Sequence, residues 1–209
     1  MKVILISNPE ELPGEMNMVH ELFDAGLERF HLRKPKYSTN ALRNYIEKIN
    51  PKYRNRLVIH SHHELSVPYR LGGIHLTEQH RRKNVLQNWI LKKYIKLRRP
   101  GIDITAGFHT IGALKRENPG YAYVFLSPVF NSISKLGYKS SFNEDSLQKM
   151  IAKSSYQVVA LGGVDEDNIE KAHRLGFYGV ALLGSVWKTN NPVEKFKRIQ
   201  QLCTTIVTT

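Results

Sequence analysis

Short, almost unbroken apolar runs recur along the chain, separated by longer stretches in which apolar residues return every three or four positions. The runs predict strands over Val3–Ser7, Arg29–Arg33, Leu57–His60, Gly73–Leu76, Ile102–Ala106, Tyr121–Ser127, Gln157–Leu161 and Tyr178–Leu183. They are apolar nearly throughout, as expected of strands covered on both faces. The periodic stretches predict helices over Met16–Ala25, Thr39–Ile49, Val85–Ile95, Glu144–Ala152, Asp167–Leu175 and Val193–Leu202. Strands alternating with helices imply βαβ units and a parallel sheet. Boundary residues agree: Ser38 or Thr39 can cap the second helix, Gly176 follows Leu175 as a stop, and Asn191-Pro192 opens the last helix.

Eight parallel strands can close into a barrel or stay open as a doubly wound sheet. A dinucleotide-type open sheet usually carries Gly-x-Gly-x-x-Gly after its first strand, and this chain has none there. Glycines cluster instead after the seventh strand and near the end of the eighth, where barrel enzymes often hold phosphate. The expected fold is a single (β/α)8 barrel domain over residues 1–209, with short loops. Its binding site belongs on the loops that follow the strands.

Composition narrows the class. A chain of 209 residues, 41% hydrophobic, can bury one substantial core. No segment nears the roughly 18 apolar residues of a membrane span, and the first apolar run is too short for a signal peptide. One cysteine, Cys203, excludes an internal disulfide and reads as packing in the last helix; the expectation is a reduced, cytoplasmic protein. The net charge of +13 concentrates around His80–Lys83 and on to Arg98-Arg99. Leu86, Trp89, Ile90 and Tyr94 fall there at helical spacing, predicting a helix with an apolar inner stripe and a basic outer face. No recognised DNA- or RNA-binding motif accompanies it, so a solvated face is favoured over a nucleic-acid surface.

The strand ends carry the candidate chemistry. Gly162 and Gly163 follow strand 7, and Gly184 and Ser185 follow strand 8. Without a Cβ, glycine lets a phosphate approach backbone N–H groups closely, and amides at a helix start form an anion site. After strand 6, Ser132, Ser134 and Lys135 offer hydroxyl donors and an ammonium. On strand 2, alternation puts His31 and Arg33 on one face. Turned into the barrel, Arg33 needs an anionic partner, either a ligand phosphate or a structural carboxylate.

These segments resemble the thiamine phosphate synthase/TenI family. FHLRKP is similar to its strand-2 motif, GGIHLTE to its G-V-H-L-G-Q, SPVFNSISK to its G-P-V-F-x-T-x-T-K, and VVALGGV and GVALLGSVW to its last two strands. They come in the family's order and span nearly the whole chain. The resemblance implies Arg33 and Lys135 at diphosphate-binding positions and Ser132 and Ser134 at hydroxyls near the thiazole phosphate. It puts Gly162 or Gly163, with Gly184, at the phosphate-binding backbone.

The departures fall at the metal. The family synthase couples a pyrimidine diphosphate to a thiazole phosphate with Mg²⁺, using an Asn-Asp pair after strand 3 and an Asp after strand 4. This chain has His60-Ser61 and His80, and Gly107 stands where the family carries a serine. Mg²⁺ prefers oxygen ligands; Glu64 and Glu78 are the nearby substitutes. The favoured reading is therefore a TenI-like, metal-independent tautomerase of a thiazole phosphate, with no cofactor. The alternatives are the Mg²⁺-dependent synthase and a non-catalytic binder of thiazole or thiamine phosphate. Pro128 stands where the TenI branch carries its acid/base histidine.

Imidazole suits proton transfer near neutral pH. His31 is the first choice, with His60 and His109 behind it, and His75 reads as structural or as lining the substrate. No helical His-x-x-x-His and no cysteine pair supports zinc, so no metal site is expected.

Overall fold

The computed structural model describes residues 1–82, 85–116, 120–130 and 143–208. Eight strands run β1 Lys2–Ile6, β2 Arg29–Leu32, β3 Leu57–Ile59, β4 Gly73–Leu76, β5 Asp103–Phe108, β6 Tyr123–Leu126, β7 Val158–Leu161 and β8 Gly179–Leu182. Each pairs in parallel with the next, and β8 returns to β1 through Lys2↔Gly179 to Leu5↔Leu182, closing the barrel. All eight lie where the apolar runs put them, shorter by a residue or more at several ends. Arg33, His60 and Ser7 thereby become the first residues beyond their strands, which is where a barrel places its ligand-binding groups.

The helices are α1 Glu15–Asp24, α2 Thr39–Lys48, α3 Glu78–Arg82, α4 Val85–Arg98, α5 Ile111–Arg116, α6 Glu144–Ala152, α7 Ile169–Arg174, α8 Gly184–Trp187 and α9 Pro192–Thr208. Ser38 caps α2 by accepting from the Ala41 amide. Pro192 opens α9, where its missing N–H costs nothing. The short α3, α5 and α8 span too few residues to show a hydrophobic period, and periodicity in the sequence predicts none of them.

Two apolar layers form. The larger fills the space between sheet and helices, with Leu22, Phe30, Leu42, Ile74, Val124 and Phe196 inaccessible to solvent. The smaller fills the barrel itself with Ile4, Ile6, Tyr123, Phe125, Val159 and Ala181. At the N-terminal end, Arg29 bridges to Asp103 at 2.9 Å, joining β2 to β5 across the barrel floor.

Helix α4 departs from expectation. Leu86, Trp89, Ile90 and Tyr94, predicted as its inner stripe, are 69%, 53%, 53% and 46% exposed, and Leu97 is 78% exposed. Among its described side chains, Ile95 is the one fully buried. The spacing marks a helix, but the face seated on the barrel is set by Ile95, with Leu91 partly buried beside it. No described helix is long and apolar enough to cross a membrane.

Candidate active site at the barrel mouth

Two positions in the loop after β7 require glycine. Gly162 and Gly163 have φ of 88° and 69°, a region closed to most side chains. A Cβ on Gly162 would sit 3.0 Å from Cα and Cβ of Pro128. The loop is tied to the end of β6 by the Phe130 amide, which donates to the Gly162 carbonyl at 3.0 Å. Next to it, Gly184 opens α8, whose first residues have no side-chain cap. Ser185 Oγ is buried there with no hydrogen-bond partner among the described residues. A buried hydroxyl left unpaired is costly, and a phosphate oxygen is an acceptor of the right kind. Trp187 holds this corner by donating from Nε1 to the Ile6 carbonyl at 2.6 Å.

Arg33 is exposed at the mouth, and no carboxylate pairs with it among the described residues. Its backbone is fixed instead: its amide donates to Ser7 Oγ at 2.8 Å, and that hydroxyl donates back to its carbonyl at 3.1 Å. The charge is close enough to lower the basicity of both His60 and His75. The buried cation is its neighbour. Lys34 Nζ is sealed against Glu15 Oε2 at 2.7 Å and donates to the Glu10 carbonyl at 2.9 Å, while Tyr45 Oη donates to Glu15 Oε1. Lys34, not Arg33, thus carries the structural ion pair weighed for this strand end. Its signal in sequence was only its place in the FHLRKP motif.

A block of histidines stands over β2, β3 and β4. His31 is wholly inaccessible, and His60 and His75 are buried beside it. His31 Nδ1 meets His60 Nε2 at 2.9 Å, and His31 Nε2 meets Tyr123 Oη at 2.6 Å. His75 Nδ1 meets Thr105 Oγ1 at 2.8 Å. The rings of His60 and His75 stack, with centroids 4.2 Å apart, and Phe125 packs against both His31 and His75. Desolvation pushes His31 and His60 well below the usual imidazole range, with the neighbouring His75 adding to the effect in both. Desolvation, then the charges of His63 and Arg81, lowers His75 to about 3. All three are neutral at pH 7. Burial also raises Tyr123, which stays a protonated donor.

His63 and His80 extend the block, with ring centroids 4.8 Å apart, and His63 Nε2 contacts the His75 carbonyl at 3.1 Å. His109 is exposed and bonds the Ser127 carbonyl through Nδ1 at 2.9 Å, away from the buried three. Ser132, Ser134 and Lys135 lie outside the described residues. His31, the first choice as acid/base group, sits beneath His60 with both ring nitrogens occupied. His75, read as structural or lining, belongs to the centre of the block.

The donors at the mouth decide which metal the site suits. Glu64 is exposed beside His62, and Glu78 pairs with Arg82 at 2.7 Å. Glu10, Glu11 and Glu15 are engaged by Lys36, Tyr37 and Lys34. These carboxylates do not form an oxygen cage, so the described residues do not fit Mg²⁺. Imidazole is a ligand for softer metals, and nitrogens of His31, His60 and His75 lie within 4.8 Å of one another. Zinc asks for Zn–N of about 2.0–2.1 Å, so the three would have to converge, and His31 would have to release its bond to His60. A depression lined by Lys2, Glu28, Tyr178 and Gln200 opens at the opposite end, below the strands' N-termini. Its Lys2 and Glu28 pair with each other, and ligands in this fold bind at the other face.

Comparison with known proteins agrees with the architecture and the motifs. The thiamine monophosphate synthase family model matches residues 3–186. The thiamine-phosphate synthase of Dictyoglomus turgidum is 24% identical over 187 residues, covering 88% of this chain and 81% of the relative. That of Limosilactobacillus fermentum is 23% identical over 202 residues, covering 93% and 90%. The crystal structure of thiamine phosphate pyrophosphorylase from Bacteroides thetaiotaomicron superposes with a TM-score of 0.79 at 27% identity, covering 98% of each chain. With the closed barrel, the glycine corner and an unbroken match across nearly its whole length, the chain belongs to the thiamine phosphate synthase/TenI family of enzymes.

Proposed function

We propose that this enzyme binds a thiazole phosphate and shifts a proton within it, as a TenI-like tautomerase that needs no metal ion. The observation that carries this reading is the block of uncharged imidazoles at the mouth, where the carboxylates are engaged elsewhere. Neutral imidazole can accept a proton or donate a hydrogen bond without a metal. Gly162, Gly163, Gly184 and the unpaired Ser185 hydroxyl supply the phosphate corner, and Arg33 supplies an exposed cation. Incubating the carboxylated thiazole phosphate tautomers with the enzyme in EDTA tests the reading. Conversion to the aromatic thiazole, followed by NMR, is the expected result, and no conversion of any tautomer rejects it. Ser185→Ala should weaken phosphate-ligand affinity by about tenfold, the worth of one hydrogen bond to a charged group, measured by calorimetry.

The curated relatives favour a second reading, since they are named as synthases. There Arg33 and Lys135 would hold the pyrimidine diphosphate, with Mg²⁺ on ligands other than those above. Pyrophosphate release on mixing both substrates with Mg²⁺ establishes that reading in place of the first.

A further inference from the structure

The hydrogen bonds of the histidine block determine where each proton sits. A neutral imidazole carries one N–H and one lone pair. The buried Tyr123 hydroxyl has one protein partner among the described residues, His31 Nε2. It therefore donates there, and His31 must carry its proton on Nδ1. That N–H donates to His60 Nε2, so His60 in turn carries its proton on Nδ1. For His75 the constraint comes from Thr105, whose hydroxyl donates to the Ile74 carbonyl at 3.4 Å and so accepts from His75 Nδ1–H. His75 Nε2 is left as a bare lone pair.

The unbonded His75 Nε2 lies on the mouth side of the block. Thr105 and Gly107 are two residues apart on one face of β5, and the His75 ring spans them. Nδ1 sits at Thr105, and Nε2 at Gly107, nearer the strand's C-terminal end. A Cβ on Gly107 would lie 3.4 Å from His75 Nε2, so this glycine keeps the nitrogen uncovered. Neither His60 Nδ1 nor His75 Nε2 is among the buried polar atoms that lack a partner, and neither has a protein partner among the described residues, so both reach solvent.

We infer that His75 Nε2 and His60 Nδ1–H form a matched acceptor and donor at the barrel mouth, with His75 the base of the proton shift and His60 a neutral electrophile set by the Tyr123–His31 chain. This rests on the tautomerase reading and names its machinery. His75 Nε2 takes the proton from the substrate's C–H, and the electron pair released moves through the conjugated system toward the carboxylate. His60 Nδ1–H stabilises the negative charge that develops and keeps its proton. His75 then returns its proton to the other carbon terminus, so the enzyme ends as it began. His75 is a weak base in the empty barrel. Desolvation depresses it most, and a bound phosphate and carboxylate offset the further effect of the Arg81 and Arg33 charges. Thr105, Tyr123 and His31 are positioning residues that fix the two tautomers.

The test separates the tautomers from the turnover. Long-range proton–nitrogen NMR on the full chain labelled with ring-¹⁵N histidine, at pH 7, should show His31, His60 and His75 all as Nδ1–H forms, against the Nε2–H preference of free histidine. Single His→Gln variants assign the signals. An Nε2–H form at His60 or His75 overturns the proposal. So does zinc retained at one ion per chain after dialysis and lost in the same variants, because the three imidazoles would then be ligands. On the carboxylated thiazole phosphate, His75→Asn should lose about 10²–10⁴ in turnover and His60→Asn about 10²–10³, with substrate affinity kept within a few-fold. Thr105→Val should lower kcat and shift the His75 signals together, which a merely structural threonine would not do. Undiminished turnover in His75→Asn sinks the assignment while leaving the tautomerase reading intact. No turnover in the wild type, with the Nδ1–H forms present, sinks the tautomerase reading and with it the catalytic use of the pair.

Discussion

Lys34 and the buried imidazoles have opposite ways of surviving inside the protein. Lys34 keeps its charge because Glu15 and the Glu10 carbonyl surround it. Lys34→Met leaves the buried Glu15 carboxylate uncompensated and should destabilise the fold by about 3–5 kcal/mol in urea titrations; adding Glu15→Gln should recover part of that loss. The histidines survive by staying neutral, and this sets a pH dependence. Unfolded, each takes up a proton near pH 6.5; folded, His63 does so only near 4, because burial and then His80 oppose it, and His75 only near 3. The unfolded chain binds more protons throughout that window, so stability rises with pH across it and falls as pH drops from about 6.5 towards 4. Melting temperatures measured from pH 7 to 4.5 should fall steadily, and less steeply in His63→Asn; a flat profile contradicts the buried neutral block. The sequence put these histidines on neighbouring strands and ranked His31 first, but carried no signal of how deeply each is buried. Burial depends on where β2 and β3 end, and the sealed His31 and Leu32 are followed directly by the exposed Arg33.

At the scale of the element, the strands were legible because both faces are buried and the apolar runs are continuous. Helix faces were less so. In α4, Leu86, Trp89, Ile90 and Tyr94 share a face by spacing, yet the barrel takes the face that holds Ile95. Periodicity reports that a helix has two faces, and what it packs against decides which one is covered. Ile95→Ala should therefore cost about 2–5 kcal/mol, while Leu97→Ala should stay within about 0.5 kcal/mol as a surface change. Trp89 and Trp187 give a direct optical check. Acrylamide should quench the exposed Trp89, identified by its loss in Trp89→Phe, and spare Trp187, which is buried and bonded to Ile6. The glycines after β7 and at the end of β8 lie where the apolar runs put them. Its unpaired Ser185 hydroxyl could be recognised only once its surroundings were known.

Across the whole molecule, the two ends of the barrel divide the work. The floor is held by the Arg29–Asp103 bridge and the Lys2–Glu28 pair, and the mouth keeps its chemistry on residues just beyond the strands. Arg29→Met should lower the melting temperature and leave ligand affinity at the mouth unchanged by calorimetry, since its partner lies on β5 at the far end. The pairing of β8 with β1 also leaves none of the eight described strands with unpaired backbone along either side. An open sheet of eight strands would expose two such edges, each able to recruit a foreign strand. Closing the barrel removes both, so its tendency to aggregate while folded shifts from backbone to side chains; among the described residues these are Leu86, Trp89, Ile90, Tyr94 and Leu97 of α4, with Leu202 of α9.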